Sequence, residues 1–172
     1  MKIETPASPE LRRLASLIEA NPVAMMTTLD EQGALVSRPM SVLQMDAHGV
    51  LWFFTDLRST MVDQLRAVNL AFADRASASY LSVSGRGEID VDRARIQALW
   101  TPFARPWFPD GPDSSSLALL RFVPAAAEVW DAPDSRMVRL LAMVASSVAG
   151  KPVGLGQHDS FRDLSPDVSH GR

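Results

Sequence analysis

Between Val23 and Thr55 three β-forming stretches follow one another with only short turns between them, and this spacing limits the fold more than any other feature. Val23–Leu29 runs into the turn Asp30-Glu31-Gln32-Gly33. Ala34–Met45 runs into Asp46-Ala47-His48-Gly49, and Val50–Thr55 closes the series. Strands joined this closely read as an antiparallel meander. Pro39 stands inside the second stretch and cannot donate to a ladder, so an edge position or a bulge is expected there.

Further strands are expected at Leu70–Asp74 and Ser79–Ile89. The latter crosses Gly85 and Gly87, where a bend or the close approach of another backbone is expected. Leu117–Val123 and Ala126–Trp130 read as a last pair around Pro124. The helices are short. Ser8 caps the first, with Pro9 at its first position and Leu11, Leu14, Leu17 and Ile18 as its apolar stripe. Residues 59–67 form a second, with Thr60 and Asp63 as a capping box. Asp90 or Asp92 opens a third through Ile96, Leu99 and Trp100, and Ser135 caps a fourth carrying Met137, Leu140, Leu141, Val144 and Val148. Consecutive strands with helices at the corners point to a mainly β fold, a six- to seven-stranded antiparallel barrel, closed or half open.

The 172 residues suit one domain over residues 1–149, followed by a polar tail, 150–172, expected to be mobile. A chain of this size buries about 70% of the surface it exposes when unfolded, so it needs no staple. It has no cysteine, which excludes thiol catalysis, zinc ribbons and disulfide scaffolds together. The net charge is −3 and the Lys and Arg residues are scattered, so no nucleic-acid surface is expected. No apolar run reaches the length of a signal peptide or a membrane span; the expectation is a cytoplasmic protein with no membrane contact.

Three groups of residues are candidates for a site. Phe54 and Thr55 end an aromatic strand that leads into Arg58-Ser59-Thr60, where backbone N–H groups, hydroxyls and a cation meet. Such a constellation binds phosphate, and it is equally the composition of a plain N-cap. Arg38-Pro39-Met40-Ser41 places an arginine on a strand, facing either a ligand or solvent. Trp100, Trp107, Phe108 and Trp130 either wall a flat ligand, form an interface or pack in the core. The histidines, His48, His158 and His170, show no ligand spacing, and the carboxylates read as caps. With no protein-borne base or nucleophile, any chemistry must be carried by a cofactor.

The order of these pieces resembles the FMN-binding split barrels related to pyridoxamine 5′-phosphate oxidase, and more closely the general stress protein branch. The resemblance rests on Arg38-x-Met40, Phe53-Phe54-Thr55 and Arg58-Ser59-Thr60. It continues through Ser82-Val83-Ser84-Gly85, the loop Trp100-x-Pro102…Trp107-Phe108-Pro109-x-Gly111-x-Asp113, and Leu119-Leu120-Arg121-Phe122-x-Pro124…Glu128-x-Trp130-Asp131. It implies a homodimer with FMN at the subunit interface, FAD being the alternative cofactor. It places Arg38, Pro39, Met40 and Ser41 by the ring and ribityl chain, with Phe54 and Thr55 beside them. Arg58, Ser59 and Thr60 take the phosphate, and Tyr80 and Trp130 approach from the partner.

This chain departs from the oxidase at three points. Thr60 and Met61 stand where two basic residues are usual. The oxidase's glutamine near the position of Tyr80 is missing, and Arg136-Met137-Val138 lacks the substrate histidine. Sites of that kind discriminate through hydrogen bonds, so pyridoxamine phosphate oxidation is not favoured. The expectation is a flavin-binding stress protein, with oxidoreductase activity on an unknown small molecule as its extension. The rivals are an oxidase-like or NAD(P)H-dependent flavin reductase and a ligand-free interaction module.

Overall fold

In the computed structural model, residues 1–131 and 157–162 are described. The strands are β1 (Lys2–Ile3), β2 (Val23–Leu29), β3 (Leu35–Ser41), β4 (Gln44–Met45), β5 (Leu51–Asp56), β6 (Val68–Asp74), β7 (Ser79–Asp90), β8 (Leu117–Asp131) and β9 (Gln157–Arg162). Helices α1 (Pro9–Ala20) and α2 (Arg93–Leu99) accompany them, with 3-10 turns at Thr60–Gln64 and Pro102–Ala104. The strands form one sheet in the order β1-β4-β5-β8-β7-β6-β2-β3, with β9 added to β8.

The stretch expected as one strand, Ala34–Met45, is what curls this sheet. Its first half, β3, pairs with β2 through Ser41↔Val23, and its second half, β4, pairs with β5 through Gln44↔Trp52. At the changeover Val42 N–H donates to Pro22 C=O at 2.8 Å and Leu43 N–H to Trp52 C=O at 2.8 Å. One stretch of chain thus joins β3, at one end of the curled sheet, to β4, next to its other end, and so forms two strands. Pro39 lies in β3 at the end of the strand order, the edge position expected of it.

Two other corrections have clear causes. The sheet is mixed, because the two-residue β1 pairs with β4 in parallel. A pair that short carries no periodicity to read. The expected break at Pro124 is absent, since β8 runs through it. Ser84 pairs with Ala126 and Gly85 with Pro124, so Ala125 is the extra residue of a bulge that absorbs the proline. Gly85 is required there: a Cβ would sit 2.2 Å from Val123 C=O. The close approach expected at this glycine is therefore the backbone of β8.

The strand β9 lies within the expected tail. β5 covers β8 only over Leu117–Phe122, and β9 takes the continuing edge over Ala126–Asp131. An edge left open would invite pairing with other chains. The helix expected after Ser135 lies outside the described residues, as does Arg136.

Leu11, Leu14, Ala15 and Ile18 of α1 are buried with Met26, Phe53, Leu70, Leu81, Leu120 and Phe122 in the main core. Ser8 Oγ caps α1 by accepting from Leu11 N–H at 3.2 Å, as expected. A smaller cluster lies outside the barrel, where Val50, Trp52, Phe54, Leu117 and Leu119 meet Ile96 of α2, with Trp100 and Phe108 packed on it. This explains why β5 is apolar without alternation. Leu51 and Phe53 fill the main core, while Trp52 and Phe54 fill the outer one.

Candidate functional site

The segment expected to hold phosphate follows β5 directly. Ser59 caps the 3-10 turn, its Oγ accepting from Met61 N–H at 3.3 Å, so the cap is Ser59 rather than Thr60. The expected helix is a single five-residue 3-10 turn. Its dipole is small, so side-chain charge must supply most of any attraction for an anion.

Arg58 does not offer its charge freely. Its Nη2 lies 2.6 Å from Asp56 Oδ2 and its Nε 2.9 Å from Oδ1, while its backbone N–H donates to the same Oδ1 at 2.8 Å. Ser116 Oγ adds a long contact of 3.5 Å to Asp56. The guanidinium's hydrogen bonds, then that backbone N–H, hold the Asp56 carboxyl down to about 2. The same pair raises Arg58 above its ordinary value, with Asp110 adding a smaller attraction. Arg58 is 77% exposed, so solvent screens the pair.

Arg38 differs. It lies opposite Met26 and Met40 lies opposite Ala24, so both share the face of two buried residues. Pro39 and Ser41 alternate onto the outer face opposite Met25 and Val23. The four expected contacts on β3 are thus divided between two faces. Arg38 is half-buried, and its guanidinium has no hydrogen-bond or ion-pair partner among the described residues. A cation held so, without a counter-charge, fits an anionic ligand.

Phe54 packs against Trp100 and Phe108 at centroid distances of 5.6 and 5.9 Å. Its ring supports the proline-rich loop from below. Thr55, on the opposite face, is buried and pairs with Ala118. Tyr80 and Trp130 are direct cross-strand neighbours on β7 and β8, 48% and 39% exposed. Val23 and Met25, each 44% exposed, are apolar positions of β2.

Two contributors were not foreseen. Asp110 and Ser116 reach the Asp56–Arg58 turn from a loop more than fifty residues away in sequence, and Leu57 N–H donates to Ser116 C=O at 2.8 Å. Only the shared order of motifs joined these two segments beforehand. Trp52 is covered by the Arg95 guanidinium, 4.1 Å from the ring centroid, and its buried Nε1 has no hydrogen-bond partner among the described residues. The groove of about 320 Å³ beside Val62, Leu65, Arg66, Arg86 and Glu88 contains none of the expected flavin contacts. Among the described residues no cluster of His, Asp and Glu could hold a metal ion. No helix among them is long and apolar enough to cross a membrane.

The protein is similar to several of known structure or description. Protein bli-3 of Neurospora crassa is 26% identical, the match covering 94% of this chain and 82% of that protein. A general stress FMN/FAD binding protein of Xanthomonas citri is 30% identical over 74% of this chain and 93% of its own, with a TM-score of 0.61. A Clostridium acetobutylicum protein related to general stress protein 26 shares the fold at 22% identity, covering 88% of this chain and 93% of its own, TM-score 0.65. The architecture is thus the split barrel expected from the sequence. Residues 9–153 match the family described as pyridoxamine 5′-phosphate oxidase like, and the chain belongs to that family.

Proposed function

We propose that this chain is a flavin-binding protein of the general stress type. It acts as a homodimer, with FMN held where one protomer's Arg38 and Arg58–Thr60 face the partner. The observation that carries the reading is Arg38, a half-buried arginine without a counter-charge among the described residues, on the strand where the family resemblance expects a flavin contact. The Xanthomonas citri relative, described as FMN/FAD binding, supports the ligand class.

The distribution of apolar surface supports a second subunit. Tyr80, Trp130, Val23 and Met25 are exposed on the barrel strands. A second copy covering them brings Tyr80 and Trp130 against the ligand. Large exposed apolar areas mark interfaces, and aromatic residues are enriched there.

A bound flavin supplies hydride or electron transfer; the protein's share is binding and orientation. Oxidoreductase activity on a small molecule is the extension of this reading. Anaerobic mixing with NADH or NADPH tests it, and prompt bleaching supports a reductase. Binding itself is tested by the visible spectrum of the purified chain and mass spectrometry of the released ligand. A flavin spectrum with a released mass of FMN or FAD is expected. A colourless chain that takes up neither contradicts the proposal.

A further inference from the structure

We propose that Trp107 is a stacking platform for the adenine of a dinucleotide flavin, extending the site beyond its phosphate. The proposal rests on the flavin reading above and adds a subsite to it.

The loop carrying this ring is pinned on both sides. Arg93 Nη1 donates to Ser114 C=O at 2.8 Å and Gln97 Nε2 to Asp113 Oδ1 at 3.2 Å, which ties it to α2. Leu57 N–H donates to Ser116 C=O, and Phe108 packs on Phe54. These contacts tie the loop to the strand and turn that present Arg58. Inside the loop, Phe108 N–H donates to Ala104 C=O and Gly111 N–H to Phe108 C=O, each at 3.0 Å.

This turn sorts its side chains. Ala104 and Phe108 pack inward on the outer cluster. Phe103 and Trp107 point outward, 88% and 71% exposed. The Trp107 indole, held in water by an ordered backbone, offers a flat apolar face with a polar N–H edge. Nucleobases stack on such faces whatever their sequence.

Charge points the same way. A phosphomonoester such as that of FMN carries about −1.5 to −2 at neutral pH. Here Arg58 is already paired with Asp56, and Thr60 and Met61 add no cation. A pyrophosphate diester bears one charge per phosphorus, so it asks less of this segment at each phosphate, and stacking beyond it makes up the difference.

Calorimetric titration of the full chain with FMN, FAD and NADH, using wild type, Trp107→Ala and Trp107→Phe, tests this. Trp107 is exposed, so neither substitution threatens the core. FAD is expected to bind about tenfold more tightly than FMN, as one base stack allows. Trp107→Ala should remove that advantage and leave FMN unchanged, while Trp107→Phe keeps most of it. Equal affinities for FMN and FAD in the wild type, or equal losses for both in Trp107→Ala, overturn the platform and leave the flavin reading standing. Loss of NADH binding alone overturns the FAD assignment. A shift in oligomeric state without any difference between FMN and FAD makes Trp107 an interface residue and overturns it too. Binding of neither flavin overturns both readings.

Discussion

Arg58 and Asp56 form a two-pronged ion pair across one turn, with Nη2 2.6 Å from Oδ2 and Nε 2.9 Å from Oδ1. The most conspicuous cation of the candidate phosphate segment is therefore already neutralised within its own strand end. Arg38, without a partner among the described residues, becomes the stronger candidate.

This difference predicts an order of effects. Arg38→Ala should weaken FMN about 10- to 100-fold, the equivalent of about 1.5–3 kcal/mol for a hydrogen bond to a charged group. Arg58→Ala should weaken it less, because its counter-charge stays behind on Asp56. Riboflavin, which lacks the phosphate, should be little affected by Arg58→Ala. Equilibrium dialysis with both ligands measures this, and equal losses of riboflavin and FMN in Arg58→Ala would remove the phosphate assignment.

The same pair predicts an acid dependence. Asp56 titrates at about 2 in the folded chain, below its ordinary value of 3.8. A depressed carboxyl contributes stability above its unfolded pKa and loses it as pH falls through the folded value. The contribution is thus complete above about pH 4 and fades towards pH 2. It is small, since Arg58 is well exposed. In Arg58→Ala, an NMR titration should find the Asp56 carboxyl moved up towards its ordinary range. The backbone N–H and Ser116 keep it from returning fully.

Gly85→Ala should destabilise strongly. Its Cβ would lie 2.2 Å from Val123 C=O and 2.8 Å from the Phe122 ring, and the first of these is backbone that cannot step aside. The expected loss is at or above the upper end of the roughly 1–3 kcal/mol typical of overpacking. Chemical denaturation measures it. A change within about 0.5 kcal/mol, as at an ordinary surface position, would contradict the tight crossing of β7 and β8.

Much of the architecture was legible because turn residues and Pro or Gly positions carry direct physical meaning. The Ser8-Pro9 start, the edge proline Pro39 and the close approach at Gly85 follow from capping, a missing N–H and a missing Cβ. Boundaries failed where tertiary pairing decides. Nothing local marks Val42 as the point where a strand changes partners. Nothing local shows that Pro124 is absorbed by the bulge at Ala125. β9 is polar and has no strand pattern, and it forms because β8 continues past the end of β5. Within the site, the residue types of Arg58-Ser59-Thr60 were readable. The Asp56 pairing and the reach of Asp110 and Ser116 were not, because they depend on a loop brought back by β8.

Phe54→Ala tests how the loop is held. Removing a buried aromatic ring typically costs about 3–5 kcal/mol. Here it also withdraws the surface beneath Trp100 and Phe108. Hydrogen exchange should rise at Phe108 and Gly111, whose amides close the loop turns. Unchanged exchange there would mean that the ties to α2 suffice alone.

Whether this barrel holds a flavin is open to direct measurement. Fluorescence titration of FMN into the purified chain tests it most directly. Saturable quenching at one FMN per chain is expected, with riboflavin binding at least tenfold more weakly for want of the phosphate contact, a difference of about 1.4 kcal/mol. Absence of quenching with FMN and FAD alike would contradict flavin binding.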